Sequence, residues 1–212
     1  MPTFFRLPSG RLYLPVFLLL SFFNPAFAVT VTNAHLSVGM EDDGSYQVTV
    51  KASGWNFAGK LPDRANNVMQ SAGKDVVGSY QQIAFSWSQG SFDMAGTIRL
   101  YDPKDVILFS DVSTQEMSKP PAPFPDFTTV PAGLFPFSYH DSYFADPQHN
   151  LDTISSPWLF FDAQDHALLI SAASHFLIAT LTGDGQTRIA SVFNDKLANL
   201  PANFSQIGRA HV

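Results

Sequence analysis

Val29–Val38 reads VTVTNAHLSV and Tyr46–Ala52 reads YQVTVKA, with Glu41-Asp42-Asp43-Gly44 between them. Both segments alternate β-branched with polar residues, which is typical of half-buried strands. The acidic run that ends in glycine is typical of a turn. The sequence therefore predicts a β-hairpin, with one strand over 29–38 and its partner over 46–52.

Short strands of the same kind follow along the chain, separated by turn residues. The further predicted strands are Tyr80–Ser88, Phe92–Tyr101, Val106–Val112, Trp158–Ala163, Ala167–Ser171, Phe176–Thr182 and Thr187–Val192. No stretch of useful length shows the 3.6-residue apolar period of a helix. Regularly spaced short strands predict an all-β fold, an antiparallel β-sandwich of the supersandwich-like type.

Residues 55–73 do not follow the strand pattern. They are rich in Gly, Asn and Pro, which favour loops. We expect a long loop there, with one irregular or helical turn near Asn66–Gln70.

Lys119–Pro136 (KPPAPFPDFTTVPAGLFP) contains six prolines. Proline cannot donate a backbone hydrogen bond, so this composition argues against a helix or a central strand. The segment is expected to be extended across the sandwich or to cross between its sheets. Phe124, Phe127 and Phe135 are expected to pin it to the core.

The N-terminal residues 1–28 have the three parts of a secretory signal peptide. Arg6 and Arg11 supply positive charge, Leu12–Phe23 is apolar, and Ala26-Phe27-Ala28 is a small-residue cleavage site. The apolar run is shorter than the about 20 residues that span a bilayer. We therefore expect cleavage after Ala28 and a secreted protein, extracellular or periplasmic, with no membrane segment after cleavage.

The last six residues, Ile207–Val212, read IGRAHV. The codons ATC GGA AGA GCA CAC GTC encode this run and reproduce the start of a common short-read sequencing adapter. A segment translated from an adapter is not part of the native fold. The expectation is that 207–212 is not native, that the sandwich domain spans 29–206, and that the parent protein continues past Gln206.

Charge excludes one class of partner. Without Arg6, Arg11 and Arg209, 9 of the 12 basic residues remain against 18 acidic ones, a formal charge of −9. Nucleic-acid binding needs a positive patch, so no nucleic-acid partner is expected. The chain has no cysteine, so the fold depends on packing rather than on disulfides.

Polar and aromatic residues cluster between Tyr139 and His149. Aromatic rings stack on the apolar face of a pyranose while polar groups bind its hydroxyls. The candidate carbohydrate-contacting residues are therefore Tyr139, His140, Asp141, Tyr143 and His149. The alternative is an ordinary loop whose aromatic residues plug the edge of the sandwich.

Other chemistry has little support in the sequence. The histidines before residue 207 are His35, His140, His149, His166 and His175, and none has the spacing of a metal ligand set. No GxSxG and no glycine-rich phosphate loop occurs. Asp162 and Asp165 flank a turn and are expected to form it. No metal, no cofactor and no catalytic residue is predicted.

Four stretches carry a resemblance to a known family. They are Ser155–Asp162 (SSPWLFFD), Ile170–Phe176 (ISAASHF), Gly183-Asp184-Gly185 and Leu197–Ser205 (LANLPANFS). Together they resemble the N-terminal region of secreted proteins related to the α-galactosidase and raffinose-synthase group of glycoside hydrolases. The resemblance mainly covers Phe137–Ser205.

The resemblance implies a β-sandwich that precedes a (β/α)₈ barrel. The catalytic aspartates of that group lie in the barrel, so none is transferred to this sequence. The implied function is an accessory domain that packs on a barrel outside these residues, with Tyr139–Tyr143 lent to the rim of its active site. Such a face would be apolar, and we expect part of it to come from the Phe-rich segment.

Two other functions stay open at this point. One is a self-sufficient secreted carbohydrate-binding module, and the other is a structural or adhesive surface domain.

Overall fold

The computed structural model describes residues 28–140, 143–144, 154–194, 197 and 199–211. Residues 1–27 of the expected signal peptide lie outside this range. Within it, every regular element is a β-strand, and no helix is present. The strands form two antiparallel sheets.

The A sheet has eight strands in the order β1-β2-β3-β4-β9-β16-β15-β12. Their bounds are β1 Val29–Thr32, β2 Leu36–Met40, β3 Ser45–Val50, β4 Trp55–Lys60, β9 Asp126–Thr129, β12 Ile154–Ser155, β15 Ala179–Gly183 and β16 Ile189–Phe193.

The B sheet has nine strands in the order β11-β10-β13-β14-β17-β8-β7-β6-β5. Their bounds are β5 Asn66–Lys74, β6 Ser79–Gln89, β7 Phe92–Asp102, β8 Val106–Ser113, β10 Phe135–His140, β11 Tyr143–Phe144, β13 Trp158–Phe161, β14 Ala167–Ala172 and β17 Ser205–His211.

Aromatic rings from both sheets meet in the core. Phe57 on β4 lies edge-on to Phe160 on β13, with 5.6 Å between ring centroids. Phe127 on β9 lies edge-on to Phe109 on β8 at 5.8 Å. Edge-to-face pairs add to the free energy of burial. These contacts join the two sheets and confirm the predicted all-β sandwich.

The predicted opening strand over 29–38 is wrong in one respect, because the structure divides it at Asn33. The Asn33 Oδ1 accepts hydrogen bonds from the backbone N–H of His35 at 3.0 Å and of Leu36 at 2.7 Å. An asparagine that bonds the backbone ahead of it makes a turn. The segment therefore forms the hairpin β1–β2, and β3 is its third strand.

The predicted loop over 55–73 is also wrong, because this segment forms β4 and most of β5. Trp55 and Phe57 alternate with exposed residues and point into the core. β4 pairs with β3, and β5 pairs with β6 across the sheet. Pairing with the neighbouring strands β3 and β6 outweighs the weak strand propensity of Gly and Asn.

The proline-rich segment crosses from the B sheet to the A sheet and back. Phe124 and Phe127 are 3% and 1% exposed, which confirms that the segment is pinned to the core, whereas Phe135 is 48% exposed. The prediction that it contains no central strand is wrong, since β9 lies between β4 and β16. The four residues of β9 contain no proline, so its ladder is not interrupted.

A buried tyrosine fixes this crossover to β3. The Tyr46 hydroxyl donates to the carbonyl oxygen of Asp126 at 3.0 Å and accepts from its N–H at 2.6 Å. Burial raises the pKa of Tyr46 far above its ordinary value. The phenol therefore stays neutral and keeps both bonds.

Residues 207–211, expected to be non-native, lie in β17, which pairs with β8 and β14. Gln206, Gly208 and Ala210 face the core along this strand. The expected domain boundary after residue 206 falls within β17. The adapter origin of 207–212 stays a prediction.

Candidate functional site

Three of the five predicted carbohydrate-contacting residues have their backbones at one edge of the B sheet. The backbones of Tyr139 and His140 belong to β10, and His140 pairs with Tyr143 of β11. Asp141 and His149 lie outside the described residues. The structure therefore brings three of the five predicted positions together, and sugar contact stays a prediction.

Most of the described outward residues of β10, β13 and β14 are apolar, Ser171 being an exception. Trp158 and Phe160 of β13 face the core, so Leu159 and Phe161 face outward. Phe135 pairs with Phe161, and their ring centroids are 5.6 Å apart. Leu159 pairs with Phe137 on one side and with Leu169 on the other. We call Phe135, Phe137, Leu159, Phe161 and Leu169 the apolar outer face.

The outward surface of β6 and β7 is polar by comparison, and on β8 the polar Ser110 lies between Leu108 and Val112. Thr97 and Arg99 of β7 and Ser110 of β8 alternate with buried residues. The Arg99 Nε donates to the Gln82 Oε1 at 2.7 Å. A sheet face that meets water is normally polar, so the apolar outer face is the exception on this sheet.

The crossover contributes less to the exposed apolar surface than the sequence predicts. Phe124 and Phe127 are core residues, and only Phe135 is both aromatic and substantially exposed. The Phe-rich segment was expected to supply part of an apolar face. Of its three phenylalanines, Phe135 does so, because it lies on the apolar outer face. Phe176 and Leu177 are more exposed, but they belong to the loop before β15.

An open concavity of about 730 Å³ lies beside the turn between β2 and β3. Glu41 and Asp42 line it on one side, and Lys60 pairs with Asp43 at 2.7 Å. This bond is the main cause that lowers the pKa of Asp43 to about 2. Among the described residues that line it, the one aromatic residue, Tyr46, is buried. The described lining therefore offers a sugar no aromatic platform.

Several of the described carboxylates hold turns, as the sequence predicts, and two of them also pair with a histidine. The Asp162 Oδ2 lies 2.9 Å from the His166 Nδ1, and the Asp105 Oδ2 lies 2.6 Å from the His35 Nδ1. The Asp184 carboxylate accepts hydrogen bonds from the Thr187 hydroxyl and from three backbone N–H groups. The Thr187 bond contributes most to holding the pKa of Asp184 well below its usual range.

One buried carboxyl was missed at the sequence level. Asp111 on β8 faces the core and is 4% exposed. Burial raises its pKa to about 7. The signal for it was present, because alternation along VILFSDVS places Asp111 on the same side as Ile107 and Phe109.

Within the described ranges, no group of three or more His, Asp or Glu side chains could hold a metal ion. In the same part of the chain, no helix is long and apolar enough to cross a membrane.

No protein-family model and no curated protein matches the sequence. Among solved structures, the fold is similar to a quadruple mutant of the α-N-acetylgalactosaminidase NagBb from Bifidobacterium bifidum, with a TM-score of 0.56 and 13% identity. The match covers 86% of this chain and 36% of that one. The chain therefore spans about a third of the glycoside hydrolase chain it resembles, and it shares with it a related β-sandwich fold.

Proposed function

We propose that the chain is the accessory N-terminal β-sandwich domain of a secreted glycoside hydrolase-like enzyme and holds no catalytic residue. A catalytic (β/α)₈ barrel in the same polypeptide would pack on the apolar outer face. The observation that supports this most directly is that face. It lies on a fold that matches only part of a longer glycoside hydrolase chain.

The apolar outer face has the composition of a contact between domains. The run Trp158-Leu159-Phe160-Phe161 is apolar on both sides of β13, which is typical of a strand covered on both faces. Apolar surface left in water costs about 25 cal/mol per Å². A second domain that covers Leu159 and Phe161 therefore stabilises the pair of domains. The barrel is the occupant we propose, because most of the similar enzyme chain lies outside the match.

The predicted sugar-contacting residues adjoin this face. Tyr139 and His140 follow Phe135 and Phe137 on the same strand. A barrel packed on the face would lie beside them. We propose that Tyr139, His140 and Tyr143 lend side chains to the rim of its sugar site.

The parent transcript tests the proposal most directly. Sequencing through and beyond the codon for Gln206 should show a frame that continues into alternating strands and helices with carboxylates at strand ends. A stop codon within a few codons would contradict the enzyme proposal. It would favour a self-sufficient carbohydrate-binding module.

The apolar outer face can be tested on this chain alone. Replacing both Phe135 and Phe161 by glutamine should lower the binding of an apolar fluorescent dye several-fold. It should change the free energy of unfolding by less than about 1 kcal/mol, since both side chains face outward. The matched control replaces Thr97 and Ser110 by glutamine on the polar part of the same sheet. Equal dye binding by both double variants would show that the face is not a distinct apolar surface.

A further inference from the structure

β5 is a long strand at one end of the B sheet. It has nine residues, pairs with β6 on one side and has no described strand on the other. The other strands at the ends of the two sheets, β1, β11 and β12, have four, two and two residues. Among these described end strands, only β5 is long enough to offer another chain a row of unpaired backbone groups.

The hairpin between β5 and β6 determines which backbone groups point to this free edge. The Asp75 N–H donates to the Gly78 carbonyl oxygen at 3.0 Å. In an antiparallel pair, residues that bond the neighbouring strand alternate with residues whose N–H and C=O groups point away from it. Counted back from Asp75, the residues that point away from β6 are Lys74, Ala72 and Gln70. No described strand receives their backbone groups.

The middle of β5 also lacks the usual protection of an edge strand. Residues 69–72 are exposed on both faces of the strand, so β5 projects beyond the cover of the A sheet. Met69 is a large apolar side chain and is 61% exposed. Proteins commonly protect an edge strand with charges, proline or a bulge. Residues 69–73 contain no charge and no proline, and the bulge of β5 lies before Met69.

We propose that β5 pairs with the β5 of a second copy of this chain, antiparallel about a two-fold axis at Ser71. In this register Ala72 lies opposite Gln70 of the second copy, so the outward backbone groups of each can bond those of the other. Lys74 lies opposite Val68 of the second copy, which keeps the two lysines apart. The contact is the same on both copies, as a two-fold dimer requires.

The same register gives the exposed Met69 a place to pack. It lies opposite Gly73 of the second copy. The Tyr80 side chain covers this glycine, since a Cβ on Gly73 would come within 2.6 Å of the Tyr80 hydroxyl. A methionine beside an aromatic ring is a favourable contact. A second copy is the occupant we propose, because one strand carries both the methionine and the glycine that receives it.

The proposed dimer goes beyond the proposed function and does not depend on it. β5 lies at the opposite end of the B sheet from β10 and β13, which carry most of the apolar outer face. A barrel can therefore cover that face while β5 pairs with its copy. Contact through one strand from each copy is smaller than the about 1,200 Å² of a stable interface. We therefore expect a reversible dimer, with a Kd on the order of 100 μM.

Sedimentation of the purified protein tests the dimer over a range of concentrations that includes this Kd. Ala72→Pro should weaken association at least about tenfold, because the proline ring replaces an outward N–H and blocks the edge. The internal pairing with β6 should survive, since the Ala72 N–H points away from β6. The matched control is Thr30→Pro, the same change at an exposed position of the end strand β1, and it should associate as the wild type.

A cross-link tests the register. The chain has no cysteine, so Ser71→Cys introduces a single thiol. Across the proposed axis the two Cα atoms would be about 4.5 Å apart, which suits a disulfide. Under mild oxidation Ser71→Cys should form a covalent dimer at least about tenfold faster than Ser88→Cys, an exposed serine on β6.

Three results would overturn the proposal. One is a wild-type protein that stays monomeric up to ten times the expected Kd, which would leave a partner of different sequence as the occupant of the edge. Another is undiminished association of Ala72→Pro. The third is equal cross-linking of Ser71→Cys and Ser88→Cys, and this result decides the question even if Ala72→Pro does not fold.

Discussion

Replacing Phe127 by alanine is expected to lower the free energy of unfolding by about 3–5 kcal/mol. Phe127 is 1% exposed. Its ring makes edge-on contacts with Tyr46, Phe57 and Phe109, at centroid distances of 5.8, 5.9 and 5.8 Å. Truncation would leave a cavity between the sheets that neighbouring rings cannot fill without losing these contacts. Denaturant titration measures the loss.

The matched control is Phe135→Ala, the same substitution in the same proline-rich segment. Phe135 is 48% exposed, and its ring centroid lies 5.6 Å from that of Phe161. Its truncation should cost less than about 1 kcal/mol. Equal losses in the two variants would contradict the placement of Phe127 at the centre of the core.

Replacing Gly59 by alanine is expected to destabilise the protein by about 3 kcal/mol. A Cβ at this position would collide with the carbonyl oxygen of Asp126 and come within 2.6 Å of the Tyr46 ring and hydroxyl. Neither neighbour can move freely, because the Tyr46 hydroxyl is bonded to both backbone groups of Asp126. The pairing of β4 with β9 changes register at this point. Thermal and denaturant unfolding measure the effect.

Gly133→Ala separates collision from backbone strain. Gly133 has a φ of +81°, and an added Cβ there would meet nothing within 4 Å. Its replacement should cost only about 1 kcal/mol, from the left-handed backbone. A fall in the free energy of unfolding of Gly59→Ala that is no larger than that of Gly133→Ala would contradict the close approach of β4 to the proline-rich segment at Asp126.

Strand alternation made most of the fold predictable from the sequence. The long strands β6, β7 and β8 were found because inward residues such as Ile83, Ile98 and Phe109 recur at every second position. β4 and β9 were missed because their neighbours are Gly, Asn and Pro, which argue locally against strands. β9 pairs with β4 and β16, which are distant from it in sequence, and β4 also pairs with the preceding β3. A local pattern carries no record of such pairing.

The candidate site was less predictable than the fold. The cluster of aromatic and polar residues predicted a site in the segment from Tyr139 onward. The structure places the backbones of Tyr139 and His140 at a sheet edge. The unbroken run of apolar residues from Trp158 to Phe161 indicated that both faces of this strand are apolar. Which strands would lie beside it depended on register, and register is fixed by contacts that the sequence does not display.

Because β17 is the last strand in sequence but lies inside the B sheet, this sheet can be completed only late in the synthesis of the described chain. β17 joins β8 to β14, so the B sheet stays in two separate halves until the strand that begins at Ser205 has left the ribosome, whether the residues after Gln206 are these or the parent protein's own. During that interval β8 and β14 each present an unpaired edge, and such edges pair readily with other chains. A nascent chain is therefore most prone to aggregation just before the last of these residues emerges. A chaperone that shields the two edges would be most effective at that moment.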